Sequence, residues 1–350
     1  MKEKERIISL SNAFGPSGFE DEVLDIIKKE LKEYEVEEDK IRNLVIEKDK
    51  GSKKPRVMLD AHTDEVGLIV QAIKPNGTIR FINIGGISKA SVVGNSYVVK
   101  TKGGSYVQGV VAVKPPHFTK KNEVPSYELE DMVLDVGTTS KEETEALGIG
   151  IGSPIVANVS CTYDNKQGLF FGKAFDDRIG VAVLIEVMKR LKKEKLDVNV
   201  CASFSSQEEV GERGVSASAK RINPDVLICI EGCPADDTFQ EDYMIQAGIK
   251  RGPMLRHMDT SMITNPRFQK YALDTAKKKK IKVQEAVRSG GGTNAAMVNQ
   301  SFGVPAIVVS VPVRYIHSSY CFVAMKDYED TVKLVIELIK GLDKKVIEAF

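Results

Sequence analysis

Apolar residues recur at helical spacing near the start of the chain. Ile7, Ile8, Leu10 and Phe14 form one stripe, and Phe19, Val23, Leu24, Ile27 and Leu31 form a second. Two amphipathic helices are therefore predicted. Ser17 and Glu20 precede the second stripe in the order that makes a capping box. Short β-branched runs follow at 43–46 and 56–61. From about Val66 to Tyr163 the texture changes. Alternating or β-branched runs stand at 68–72, 78–84, 96–100, 107–113, 132–136 and 155–161, divided by Pro75-Asn76-Gly77, Gly85-Gly86 and Lys102-Gly103-Gly104. Such spacing predicts a small all-β module, with one helix at 140–147.

After Gly172 strands and helices alternate. Helices are predicted at 178–193, 214–220, 268–278, 294–300 and from 326 to the end, with strands at 199–205, 226–230, 282–286 and 306–311. Alternation of this kind implies an α/β fold, a mainly parallel sheet flanked by helices. Residues 1–66 and 164–350 then form one unit, and 67–163 is an inserted β domain. Sites in such folds form at the carboxyl ends of the strands.

Composition narrows the functional classes. The chain has 350 residues, 42% of them apolar and 28% charged, enough for a sizeable core. Fifty basic residues against forty-nine acidic ones give +1, so no basic excess points to nucleic acid. No stretch approaches 18 uninterrupted apolar residues, so no membrane span is expected, and the first residues do not read as a signal peptide. The five Cys have no framework spacing, which favours reduced thiols and a cytoplasmic location.

Five segments place His, Asp or Glu at or near the ends of apolar runs. They are His62-Thr-Asp64-Glu65, Asp176-Asp177-Arg178, Glu208-Glu209, Glu231-Gly232 and Arg314-Tyr315-Ile316-His317. Each alone has a structural reading: a hydrogen-bonded strand-end His, a helix cap, an ion pair. Adjacent Glu208 and Glu209 are the most informative. They repel unless cations or protons intervene, and on an extended chain they face opposite sides. Together the segments supply the ligand set of a two-metal hydrolase. His117 and His257 have no such context and read as surface and structural residues. Arg314 reads as a residue that pins a site carboxylate or orients the His317 loop.

The four motifs His62-Thr-Asp64-Glu65-Val-Gly, Phe175-Asp176-Asp177-Arg178, Gln207-Glu208-Glu209-Val-Gly and Arg314-Tyr315-Ile-His317-Ser318 resemble those of the M42 family of metallo-aminopeptidases. The likeness spans essentially the whole chain, β module included. It implies a zinc-peptidase-like domain with an inserted PDZ-like barrel. It also implies two divalent metal ions, Zn2+ or Co2+. By resemblance His62 binds one metal, oriented by Asp64, and Asp176 bridges the pair, with Asp177 as the fallback bridge. Glu231 joins His62, and Glu209 joins His317. Glu208 is the general base and acid, and the Asp176–Asp177 peptide is expected to be cis. Short peptides are the implied substrates, and a homo-oligomer, a tetrahedral dodecamer or a dimer, is the implied assembly. Two positions depart from relatives, which often carry Asp at Glu231 and at Asn294. The second is expected near the substrate. Other readings are an N-acyl amino acid or other amide hydrolase, and a catalytically silent binding protein. Glycoside hydrolysis would need a metal-free carboxylate pair.

Overall fold

A computed structural model describes residues 1–118 and 127–350. Its larger sheet is parallel at the centre. Asn199–Ser205, Arg56–His62, Val226–Pro234 and Ala306–Arg314 lie side by side in that order. Their residues are buried almost throughout, as strands covered by helices on both faces must be. Both margins are antiparallel. Leu44–Glu47 borders Asn199–Ser205, and Cys321–Ala324, Leu169–Gly172 and Thr162–Asp164 extend the other side. The sheet as a whole is thus mixed around the expected parallel core.

Helix Phe175–Leu191 runs against the centre of this sheet. Thirteen of its seventeen residues are buried, so its pattern is apolar nearly all round rather than amphipathic. Helices Glu3–Asn12 and Met325–Lys340 pack beside it and complete one continuous core with Phe170, Phe204 and Tyr328.

The inserted segment forms a closed barrel of Gly67–Ile73, Ile79–Ile84, Val133–Asp135, Tyr106–Ala112, Ser96–Lys100 and Pro154–Ala157. Alternate residues Leu68 and Val70, Ile79 and Phe81, and Tyr97 and Val99 fill it, with Val111, Leu134 and Ile155. Closure leaves these strands no unpaired edge. Helix Lys141–Ala146 is capped by the Ser140 hydroxyl, which accepts from the Glu143 amide.

Several local expectations change. The second helix is Asp21–Glu30, and no side chain caps it, so Ser17 and Glu20 do not form a capping box. Both instead reach residues distant in sequence: Ser17 bonds Asp64, and Glu20 accepts from the Gln207 amide. The strand expected at 282–286 is Gln284–Val287. It stands off the main path and pairs with Met254–Met258, which in turn lies antiparallel on Ala306–Arg314. The terminal helix stops at Lys340, and a short helix Lys344–Ile347 follows.

Candidate active site

The parallel strands bring the polar segments to one end of the sheet. Ser205 pairs with His62 at the ends of adjacent strands, so Glu208 and Glu209 emerge beside His62. Glu231 lies before the end of its own strand, which continues to Pro234. His317 follows Ala306–Arg314 in a turn where Tyr315 and His317 both have positive φ. Asp176 stands at the start of the central helix, where Asp176 and Asp177 depart from helical geometry and the peptide between them is cis.

The side chains converge in two lobes about Asp176. His62 Nε2 is 3.0 Å from Asp176 Oδ1, and His317 Nε2 is 3.0 Å from Asp176 Oδ2. Glu231 Oε1 lies 3.3 Å from His62 Nε2, and Glu209 Oε1 lies 3.3 Å from His317 Nε2. Glu208 Oε2 is 3.9 Å from His62 Nε2. Glu208 and Glu209 therefore face different lobes. Donor atoms of His62, Asp176 and Glu209 fall within 4.8 Å of one another, as do those of His62, Asp177 and Glu231. Among the described residues, Glu209 Oε1 and Glu231 Oε1 are buried without a hydrogen-bond partner. Unpaired buried carboxylate oxygens facing imidazoles are what a divalent cation requires, so the residues fit a metal.

The electrostatics describe the same crowding. Burial pushes Glu231 up to about 8 and raises Glu208 well above the usual carboxylate range, with Glu231 and Glu209 repelling Glu208 further. Burial likewise raises Glu209. Burial opposes charge on His317, but the bond to Asp176 and the facing carboxylate of Glu209 hold it up to about 11. The same opposition at His62 is outweighed by Glu208, Glu231 and the bond to Asp176. Asp176 is held low despite burial, because both imidazoles bond to it.

A second layer fixes these groups. Asp64 is fully buried, and its Oδ1 lies 3.2 Å from His62 Nδ1. A ligating imidazole needs a carboxylate facing its other nitrogen, and Asp64 stands there at ion-pair distance. The Glu208 and Glu209 amides donate to Asp64 at 3.0 and 3.1 Å. Asp177 is held by backbone amides: its Oδ2 accepts from the His62 amide at 3.2 Å, and its Oδ1 from the Gly180 amide at 3.0 Å. Behind the site Lys173 Nζ donates to both Glu65 oxygens at 2.7 Å, and Arg178 Nη2 donates to Glu65 Oε1 at 3.1 Å.

The cluster opens into a cavity of about 550 Å³. Its walls include Asp176, Glu208, Glu209, Glu231, Arg256, Arg288 and the loop Gly290 to Gly292. Each arginine already has an anion: Arg256 meets Asp259, and Arg288 meets Asp236, both at 2.8 Å.

The family described as M42 glutamyl aminopeptidase matches this sequence over residues 43–334. The chain belongs to the M42 family. The glutamyl aminopeptidase of Lactococcus lactis subsp. cremoris is 30% identical, with 98% of each chain covered. The TET aminopeptidase of the marine sediment archaeon Thaumarchaeota archaeon SCGC AB-539-E09 superposes with a TM-score of 0.94 at 38% identity, covering 99% of each chain. The TET1 peptidase of Pyrococcus horikoshii, which can assemble into a tetrahedron or a large octahedral shell, gives 0.88 at 29% identity, with 97% of this chain and 100% of that one covered. As an M42 protein the chain is a peptidase of the aminopeptidase type.

Two expectations shift on this geometry. Asn294 does not face the cavity. Its amide donates to Asp60 Oδ2 and Ser205 Oγ, both at 2.8 Å, inside the sheet. Arg314 holds Asp237 with two bonds of 2.9 and 2.7 Å and touches no site carboxylate. His257, read as structural, pairs with Glu285 at 2.7 Å on a partly exposed edge. Lys173, Asp60, Arg256 and Arg288 were not singled out from the sequence. For Lys173 the signal was present: a lysine in an apolar run needs a buried anion, and Glu65 sits in the first motif.

Proposed function

We propose that this M42 chain removes N-terminal residues from short peptides with two divalent metal ions, Zn2+ or Co2+. The observation that carries this is the two-lobed cluster: two imidazoles on separate oxygens of Asp176, each flanked by one glutamate. His62, Asp176 and Glu231 would hold one ion, and His317, Asp176 and Glu209 the other. Bound ions of this kind polarise a carbonyl and lower the pKa of water.

The chain's own residues do the rest. Asp64 orients His62. Glu208 lines the cavity and is the general base, taking the proton of the attacking water and returning it to the leaving amine. The surrounding carboxylates attract the substrate's free α-amine, which favours an exopeptidase over an endopeptidase. The Pyrococcus TET1 assemblies support a homo-oligomer, such as a tetrahedral dodecamer, with residues 67–163 shaping assembly and access. Five buried, unpaired cysteines support a reducing, cytoplasmic setting.

The test strips metal, restores Zn2+, Co2+ or Mn2+, and screens aminoacyl chromogenic substrates beside N-acetylated copies. Metal-restored cleavage of the free-amine series alone is expected. Cleavage of the acetylated series instead would move the assignment to an N-acyl amide hydrolase. Glu208→Gln should keep metal and lose at least about 100-fold in kcat. Near-full activity would remove Glu208 from the base role.

A further inference from the structure

Ser17 and Glu20 leave the helix beside them uncapped and reach the active-site loop instead. Ser17 Oγ donates to Asp64 Oδ2 at 2.6 Å. Glu20 Oε1 accepts from the Gly18 amide at 2.8 Å and from the Gln207 amide at 3.3 Å. Asp64 accepts the next two amides, those of Glu208 and Glu209. Three consecutive amides of the loop thus rest on two carboxylates, both buried.

The loop needs this support. Gln207 has φ +56, in the left-handed region that a side chain disfavours. That kink ends the strand and sends Glu208 and Glu209 into different lobes. The turn that grips the loop is itself anchored, because the Gly15 carbonyl accepts from both the Glu65 amide and Arg178 Nη2 at 3.0 Å. A rigid bridge therefore runs from the central helix through residues 15–20 to the loop.

We propose that Ser17 and Glu20 are positioning residues for the reaction. They fix Asp64 and the Gln207 amide so that Glu208 points at the substrate and Glu209 at the second metal position. This inference rests on the reading of Glu208 as base and Glu209 as ligand.

The experiment uses the full-length protein and compares Ser17→Ala, Ser17→Thr, Glu20→Ala, Glu20→Gln and Glu208→Gln. It measures kcat and KM with metal restored, and zinc affinity by competition with a chromogenic chelator. Alanine at either position should lower kcat about tenfold, with KM little changed, and weaken zinc by a similar factor, the range seen for residues that orient ligands. Ser17→Thr keeps the hydroxyl and Glu20→Gln keeps the accepting oxygen, so both should restore most of kcat and of zinc affinity. A general packing role would move stability but would not follow this pattern of rescue. Wild-type kcat and zinc affinity in Ser17→Ala would overturn the proposal, as would losses that the conservative variants fail to restore. If Glu20→Ala does not fold, the Ser17 pair decides alone. Full activity in Glu208→Gln would instead strike the assignment of the base, while zinc affinity still reports the placement of Glu209.

Discussion

Glu65→Ala should destabilise the protein through two stranded cations rather than through lost volume. Glu65 is 3% exposed and holds Lys173 by two bonds of 2.7 Å and Arg178 by one of 3.1 Å. Arg178 keeps three other partners when Glu65 goes, the carbonyls of Leu10, Ala13 and Gly15. Among the described residues Lys173 keeps only the Ala13 carbonyl, at 3.4 Å. Removing one partner from a buried ion pair costs about 3–5 kcal/mol. At about 2.1 cal/mol/K of unfolding entropy per residue, 350 residues give about 0.7 kcal/mol/K, so Tm should fall by about 4–7 °C.

The pH dependence separates the mechanisms. Burial already holds the Lys173 ammonium below its usual range against the pull of Glu65. Without Glu65 the folded-state value drops further, while the unfolded value stays near 10.4. The unfolded chain then binds more protons than the folded one, so stability rises with pH by up to about 1.4 kcal/mol per unit. Between pH 7 and 9 the deficit of Glu65→Ala against wild type should therefore shrink. Adding Lys173→Met should relieve it at pH 7, because the unpaired charge is gone. Thermal melts of the three proteins at both pH values test this. A deficit that ignores pH and is not reduced by Lys173→Met would refute the reasoning.

Two further outcomes follow from the site. Gly232→Ala would place a Cβ 3.1 Å from both the Asp176 Cα and the Phe175 carbonyl oxygen, so the peptide carrying Asp176 must move. We expect kcat to fall by about tenfold or more with Tm nearly unchanged, since small displacements of reacting groups are costly; wild-type kcat would contradict this. In the metal-free protein, His317 at about 11 and Glu231 at about 8 are both protonated at pH 7. Zinc ligands must be deprotonated, so binding should release protons and tighten as pH rises. Calorimetric titrations in two buffers of different ionisation enthalpy should give different apparent heats, and equal heats would count against these residues as ligands.

The sequence exposed the centre of the fold and most of the site for one physical reason. A carboxylate or imidazole at the end of a buried strand must have a partner, and four such ends in the parallel core share one edge. His62, Glu208, Glu209, Glu231 and His317 were therefore visible as strand-end anomalies before any neighbour was known. The barrel was equally plain, because its alternation follows a single filled interior. Strands Met254–Met258 and Cys321–Ala324 were not visible. The first is broken by Arg256 and His257, which find their partners in Asp259 and Glu285. The second is four residues long and is defined by its pairing with Leu169–Gly172 and Ala306–Arg314.

Ser17 shows where local reading stops. Its spacing to Glu20 satisfies a helix cap, and a cap would stabilise by about 1 kcal/mol. The hydroxyl instead donates to Asp64, a fully buried carboxylate that also takes two amides and faces His62. A hydrogen bond to such a charged group contributes about 1.5–3 kcal/mol. That bond holds the hydroxyl at the site, and Ser17 stands outside the helix it was expected to cap. Asn294 obeys the same rule. It sits at the start of helix Asn294–Phe302, next to a glycine loop that lines the cavity, yet its amide turns inward to Asp60 and Ser205. In both cases a short polar side chain bonds a buried carboxylate distant in sequence. Short polar residues flanking an active site are thus the ones whose roles are decided by the assembled fold, and they are where its positioning contacts concentrate.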